Sequence, residues 1–435
     1  MIPTFPQLPP HWRIARLDRL ATVNVRIGWK ALTAAEYQTE GYAFLATPNI
    51  KSYEIDFENV NYISRFRYEE SPELQLSVGD VLLAKDGNTL GITNVVRKLP
   101  RPATVNGSIA VIRPHRIESR FLRYVLASSP IQAQISAVKG GMGVPHLFQA
   151  DIKLFPIPVP PPEEQRRIAD FLDAETARIE SLRSSLTRLR SLLHERRAAQ
   201  IHSLVTGQDR PNHRTSGLPW VRTIPAHWTT SKITFVARLG SGHTPSRSRP
   251  EWWVNCTIPW ITTGEVEQIR DDRLEVLHET REKISHLGLI NSAAVLHPAG
   301  TVVLSRTASA GFSAVMGTSM ATSQDFVTWT CTPRLNPFYL LWCLRAMRTD
   351  LLNRLAIGST HKTIYMPDLY SLRIPLPPVS EQREIVRRIR RANSTLDRLL
   401  DNIDRQLDLL IERRHALITA AVTGQVNPTT THSEI

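Results

Sequence analysis

The chain has 435 residues, 42% of them hydrophobic and 21% charged, an ordinary soluble composition long enough for two to four domains. Its formal charge of +13, from 53 Lys and Arg against 40 Asp and Glu, points to a polyanionic partner: nucleic acid first, an anionic membrane surface second. No run of about 18 apolar residues exists, which excludes a spanning helix. The opening MIPTFPQLPPHW lacks the basic-then-apolar pattern of a signal peptide. Cys256, Cys331 and Cys343 have neither CxxC spacing nor paired histidines, so they read as reduced thiols of a cytoplasmic protein, with no zinc site and no disulfide framework.

In chain order, residues 1–155 form a mixed block rich in Gly, Thr, Pro and aromatics. Val81-Leu82-Leu83-Ala84 and Ile109-Ala110-Val111-Ile112 read as short strands between turn residues, and Phe121-Leu122 opens a helical stretch. A helical block follows over 156–208. Pro158, Pro160, Pro161 and Pro162 hold an extended lead-in. Beyond it Ile168, Leu172, Ile179, Leu182, Leu186, Leu189 and Leu193 alternate spacings of four and three, interrupted at Glu175, which is a coiled-coil seam. Glu163 and Glu164 at its start and Arg196-Arg197 near its end complement the helix dipole, and Gly207 stops it.

A second mixed block spans 209–374, with a strand at Thr301-Val302-Val303-Leu304 and a helix opened by Asn336-Pro337-Phe338. The second helical block, 375–427, has Pro375, Pro377 and Pro378 in its lead-in, Ser380 as N-cap, and a seam of Ile385, Ile389, Leu396, Leu399, Ile403 and Leu410. Gly424 stops it, and 428–435 is a tail.

These blocks are a duplication. Residues 158–208 recur at 375–425 without a gap, 20 of 51 positions being identical, and Gln165 answers Gln382 as Gly207 answers Gly424, 217 residues on. The mixed blocks match more faintly, Pro9-Pro10-His11-Trp12 against Pro225-Ala226-His227-Trp228 and Val78–Lys85 against Ala299–Arg306. The predicted fold is therefore α/β (α+β): two globular domains separated by two long α-helices that form an antiparallel coiled coil, with a pseudo-twofold internal repeat. Each helix of about 40 residues spans about 60 Å.

The chemistry points to a binder. There is no GxxxxGK[ST], glycine-rich dinucleotide fingerprint, HExxH or GxSxG, nor the Asn/Asp-Pro-Pro-aromatic motif of amino-methyltransferases. His11 and His227, beside Trp12 and Trp228, read as packing residues. What remains is a set of polar loops carrying Lys85, Asn88 and Thr89; Gly143 and His146; His243, Arg247 and Arg249; Arg306, Thr307 and Ser309; and Thr360, His361 and Lys362. Arg, Lys, Asn and His reach base edges, while Ser, Thr and backbone amides hold phosphates. A solvated turn accounts for any one loop alone; their recurrence at matching places in both halves puts a DNA-binding face on an equal footing with that reading.

A proline-rich lead-in, then EEQRRI or SEQREI, then a long heptad helix ending in LVTGQ or AVTGQ resembles the conserved regions of type I restriction–modification specificity subunits. GDVLLAKDGNTLG, GHTPSRSRPEWW with IPWITTGEV, and GSTHKTIYMPDLYSLRIPLPP resemble that family's paired target recognition domains. The resemblance implies that 1–155 and 209–374 each read one half of a bipartite duplex DNA target. It implies that the helices, with Gln165 and Gln382, set the spacer and dock two modification (methyltransferase) subunits, with restriction (helicase-nuclease) subunits joining the complex. S-adenosylmethionine, ATP and Mg are then expected on those partners, and no cofactor, metal or catalytic residue on this chain. At about 3.4 Å per base pair, the expected helix corresponds to roughly 17 base pairs. The competing readings are a coiled-coil interaction protein whose lobes bind protein, and a methyltransferase or nuclease with an atypical site.

Overall fold

A computed structural model describes residues 5, 8–26, 32–51, 53–138, 146–307, 309–357 and 362–426. Contacts divide the chain into two compact units, Met1–Thr187 with Asp404–Ile435, and Arg188–Ile403. Each unit therefore joins one mixed block to the start of the helix that follows it and to the end of the other long helix.

In the first unit an antiparallel sheet runs in the order Ala21–Asn24, Ile109–Pro114, Val81–Ala84, Thr93–Val95. Val81–Ala84 and residues 109–112 of the neighbouring strand are apolar at every position because both faces are covered. Val81, Leu83, Ala110 and Ile112 enter a core with the helix Ser119–Ala127 and the long helices, while Leu82, Ile109 and Val111 enter a second core. That second core is shared with a three-stranded sheet ordered Asn61–Ile63, Tyr42–Leu45, Ala103–Val105, the last pair being parallel.

The second unit repeats this plan. Ala237–Ser241, Phe326–Cys331, Val302–Ser305 and Ser313–Met316 lie in the same antiparallel order, with Val276–Leu277 added in parallel at the edge. A smaller sheet runs Lys283–Ile284, Ile258–Ile261, Ala321–Thr322. Val302 and Leu304 face the helical core and Val303 the other, so the faint sequence match reflects a duplicated fold.

The long helices, Pro162–Thr206 and Val379–Val422, are the arms. They run antiparallel inside each unit: Ile168, Ala169 and Leu172 share a core with Ile418, Ala421 and Val422, and Ile201, Leu204 and Val205 share another with Ile385, Val386 and Ile389. The expected seam holds at Ile168, Leu172, Ile179, Leu193, Ile385, Ile389, Leu396 and Ile403, all buried, while Leu186 and Leu410 are half-buried. It fails at Leu182 and Leu399, which are 48% and 46% exposed, and Leu189 is 44% exposed. The inward place passes to Leu400, 1% exposed, and on the first arm Arg183 is partly covered and Arg197 buried. A straight helix drifts about 20° per heptad against a 3.5-residue repeat, so the inward stripe moves to the adjacent residue. Arg197 lays its stem along that stripe and pairs its guanidinium with Asp397 of the other arm.

Two further details depart from expectation. The second arm begins at Val379, with the Gln382 amide bonded to the Pro378 carbonyl, so Ser380 lies inside the first turn instead of capping it. Pro162, expected in the lead-in, is the first residue of the first arm, while each proline-rich lead-in begins extended, as expected, and pairs there as a strand. Pro156–Val159 lies antiparallel to Arg13–Arg16, and Arg373–Leu376 to Thr229–Lys232.

Three joints fix each mixed block to its arm segments. Gln165 and Gln382 are buried; the Gln165 side chain accepts from the Glu118 amide at 2.8 Å and donates to the Pro160 carbonyl at 2.8 Å. At the arm ends Gly207 and Gly424 take left-handed conformations with φ of 68° and 74°, against Pro225 and Trp228 in one unit and Pro9 and Trp12 in the other. His11 meets Glu164 at 3.0 Å and His227 meets Glu381 at 3.0 Å, so these histidines bind the first turn of each arm in addition to packing edge-on to Trp12 and Trp228.

Candidate nucleic-acid interface

In the first unit the polar loops meet where the central strand Val81–Ala84 ends. The Lys85 amide donates to the Ser108 carbonyl at 2.8 Å, and the Lys85 carbonyl accepts from the Leu147 amide at 2.9 Å. This crossing brings His146 onto Asp86, which it contacts through Nδ1. Lys85 is only 6% exposed, and its ammonium lies 3.3 Å from Asp86. Its position is that of a structural cation holding Asp86. Asn88 stands exposed on the next turn, Gly87–Thr89, and the Thr89 hydroxyl donates to the Asp86 carbonyl at 3.3 Å. Gly143 lies outside the described residues.

The second unit makes the same crossing. The Arg306 carbonyl accepts from the Ile364 amide at 2.8 Å, and the Arg306 amide donates to the Asp325 carbonyl at 2.8 Å. Arg306 Nε donates to the Gln324 carbonyl at 3.0 Å, which fixes the side chain while leaving its charge without an ion-pair partner among the described residues. The Thr307 hydroxyl bonds to Asp325, and the Ser309 amide donates to the Thr307 carbonyl at 2.6 Å. The exposed His243 joins through its amide to the Thr322 carbonyl at 2.9 Å, and Thr244 donates to Gln324 at 2.7 Å.

The turn Thr322–Asp325 thus gathers His243, Arg306, Thr307 and Ser309 into one cluster. Lys362 is exposed two residues before the Ile364 anchor, while Thr360 and His361 lie outside the described residues. Arg247 and Arg249 are placed differently. Arg247 lies 3.6 Å above the Trp253 ring and pairs with Glu282 at 2.9 Å, and Arg249 stands 3.9 Å from Glu251. Trp260 is buried against Trp253, as packing tryptophans should be.

Several residues that organise these surfaces carry no sequence signature. Asp86, Gln324 and Asp325 anchor the loops. Asp173 on the first arm binds Arg97 and Arg120, each at 3.0 Å, and the Tyr124 hydroxyl at 2.7 Å. Burial works against its charge, but Arg97, Tyr124 and Arg120 outweigh it and hold the carboxyl below its ordinary range. Burial pushes the Tyr124 phenol up to about 12. In the second unit Arg390 of the arm pairs with Glu275 at 2.7 Å, and Arg273 with Asp401 at 2.5 Å.

Burial pushes the Cys331 thiol up to about 12 and that of Cys343 higher still, so neither of these two is activated. Among the described residues no group of three His, Cys, Asp or Glu is placed to hold a metal ion, and no helix is long and apolar enough to cross a membrane.

The repeated face coincides with a known domain found twice. The model of the type I restriction modification DNA specificity domain matches residues 11–189 and again 225–409. The chain belongs to that family. The type I restriction enzyme EcoKI specificity subunit of Escherichia coli strain K12 is 22% identical over 97% of this chain and 90% of its own length. Among solved structures, a chain from work on complex assembly and conformational transition of the type I R-M system has a TM-score of 0.73 at 20% identity, covering 97% of this chain and all of that one. The HsdS subunit from Thermoanaerobacter tengcongensis has a TM-score of 0.51 at 18% identity, covering 98% and 100%. These structures share the fold of this specificity subunit. Its two recognition domains and two arms are the family's architecture.

Proposed function

We propose that this specificity subunit reads a bipartite duplex DNA target, each recognition domain contacting one half through the loops gathered at its central strand. The single observation that carries this is the repeated crossing, Leu147 onto Lys85 and Ile364 onto Arg306, which builds one polar loop cluster twice in a chain of charge +13. A protein that reads two unlike half-sites needs the same frame with different side chains on it. The two clusters differ in that way: Asp86, Asn88 and His146 in one, Arg306, Thr307 and His243 in the other.

In this reading the arms set the spacer and, with the proline-rich lead-ins, dock two methyltransferase subunits. Those partners bind S-adenosylmethionine and methylate adenine, restriction subunits use ATP and Mg, and this chain contributes recognition without catalysis, in the cytoplasm. The exposed Leu182, Leu189 and Leu399 suit such docking better than they suit a closed seam.

Arg306 is the sharpest test. Its guanidinium is fixed through Nε, so it is prepared for a base edge or phosphate without further ordering. Arg306→Ala should weaken binding to the duplex methylated by the complex by about tenfold, as for loss of one good contact. Lys85→Ala should act through stability, because its ammonium is held by Asp86. Equal gel-shift affinities for wild type and Arg306→Ala would remove this loop from the interface.

A further inference from the structure

Two exposed aromatic residues stand at the same place in both halves, Phe148 at 63% and Tyr365 at 49% exposure, and 365 − 148 is the repeat offset of 217. Each directly follows the buried residue that makes the crossing, Leu147 or Ile364, both 0% exposed. The anchor points into the core, and the next residue is thereby turned outward beside the polar cluster.

Each is also the N-cap of a short helix, Gln149–Lys153 or Met366–Ser371, with extended backbone angles of −79°, 152° and −82°, 153°. Ser, Thr, Asp or Asn is favoured at such a position because its side chain can accept from the first-turn amides. Neither ring makes a cap bond. Both halves thus forgo a local stabilisation to present an aromatic face to solvent.

The surroundings suit a nucleic acid. The Phe148 ring lies 4.6 Å from the His146 imidazole, edge-on, and the Tyr365 segment adjoins Arg306 and Lys362. A ring flanked by cationic and hydrogen-bonding groups fits a base with its phosphate; an apolar protein groove would have to bury those polar groups without partners.

We propose that Phe148 and Tyr365 are the base-stacking contacts of the two recognition domains, each entering its half-site at a partly unstacked step. This rests on the DNA-reading function proposed above.

The test uses the full chain with its methyltransferase subunits, and a duplex bearing the methylated sequence with 2-aminopurine placed in one half-site or the other. Phe148→Ser should reduce affinity about tenfold and abolish the fluorescence rise in the first half-site only, and Tyr365→Ser should do so in the second only. Phe148→Tyr and Tyr365→Phe should retain both signals. Because serine restores the cap, neither Ser variant should melt below wild type; a merely structural ring would give the opposite.

Unchanged affinity and fluorescence would overturn the proposal, as would weaker association with methyltransferase subunits in the absence of DNA. If Arg306→Ala weakens binding while the Ser variants do not, the aromatic proposal alone fails. If wild type shows no preference for the methylated sequence, the DNA-reading function fails with it.

Discussion

Gln382→Leu should lower the unfolding free energy of the second unit by about 3 kcal/mol, at about 1 kcal/mol for each of three polar groups left without a partner. Gln382 is fully buried where the arm, its lead-in and the helix Pro337–Ala346 meet. Its oxygen accepts from the Asn336 amide at 2.8 Å, and its nitrogen donates to the Pro377 carbonyl at 2.9 Å and the Arg334 carbonyl at 3.1 Å. Leucine fills a similar volume, so the loss comes from unsatisfied backbone groups and not from a cavity. Gln165 makes two such bonds instead of three, so Gln165→Leu should be the milder change, at about 2 kcal/mol. Urea denaturation of the full chain followed by tryptophan fluorescence measures both. A loss below about 1 kcal/mol for Gln382→Leu would show that this amide does not fasten the recognition domain to its arm.

Gly207→Ala should be comparably damaging, at about 2–4 kcal/mol, for two separable reasons. The backbone at φ 68° disfavours any side chain, and a Cβ would lie 2.5 Å from Pro225 Cγ and 2.9 Å from Trp228 Cη2. The first term alone is about 1 kcal/mol and the second, overpacking against a buried tryptophan and a proline, about 1–3 kcal/mol. Gly217 separates them. Its φ is 72°, but a methyl group there would meet nothing within 4 Å, so Gly217→Ala should carry the backbone term alone. Comparison of the two midpoints decides the matter: equal losses would mean that the close approach of the arm end to Pro225 and Trp228 contributes nothing. Gly424, against Pro9 and Trp12, should behave as Gly207 does.

These joints explain why the best-kept part of the repeat is what it is. The glutamine after the lead-in and the glycine after each arm are identical in both copies because each satisfies a local demand, a buried amide with backbone partners or a left-handed turn under a proline. The duplication, the arms and their ends are legible in the sequence for that reason. The apolar runs Val81–Ala84 and, but for its last residue Ser305, Val302–Ser305 are legible too, since both strands are buried at every position.

Other features are not. A heptad count cannot tell Leu399 from Leu400, because neighbouring leucines both satisfy it and the drift of the stripe depends on what the arm packs against. Lys85 reads as a free cation until the chain is folded: its ammonium lies beside the adjacent Asp86, and His146, which meets the same Asp86, arrives from 60 residues later. Phe148 and Tyr365 look like ordinary apolar residues before helices. Only their exposure at the cap position separates them from core aromatics such as Phe121 and Tyr339.

The central claim, that each recognition domain reads its own half of one target, is tested most directly by exchanging residues 1–155 for the corresponding block of another family member and mapping methylated bases across a host genome. The predicted result is a new first half-site joined to an unchanged second half-site at an unchanged spacing. An unaltered target, or a change in both halves, would contradict the account.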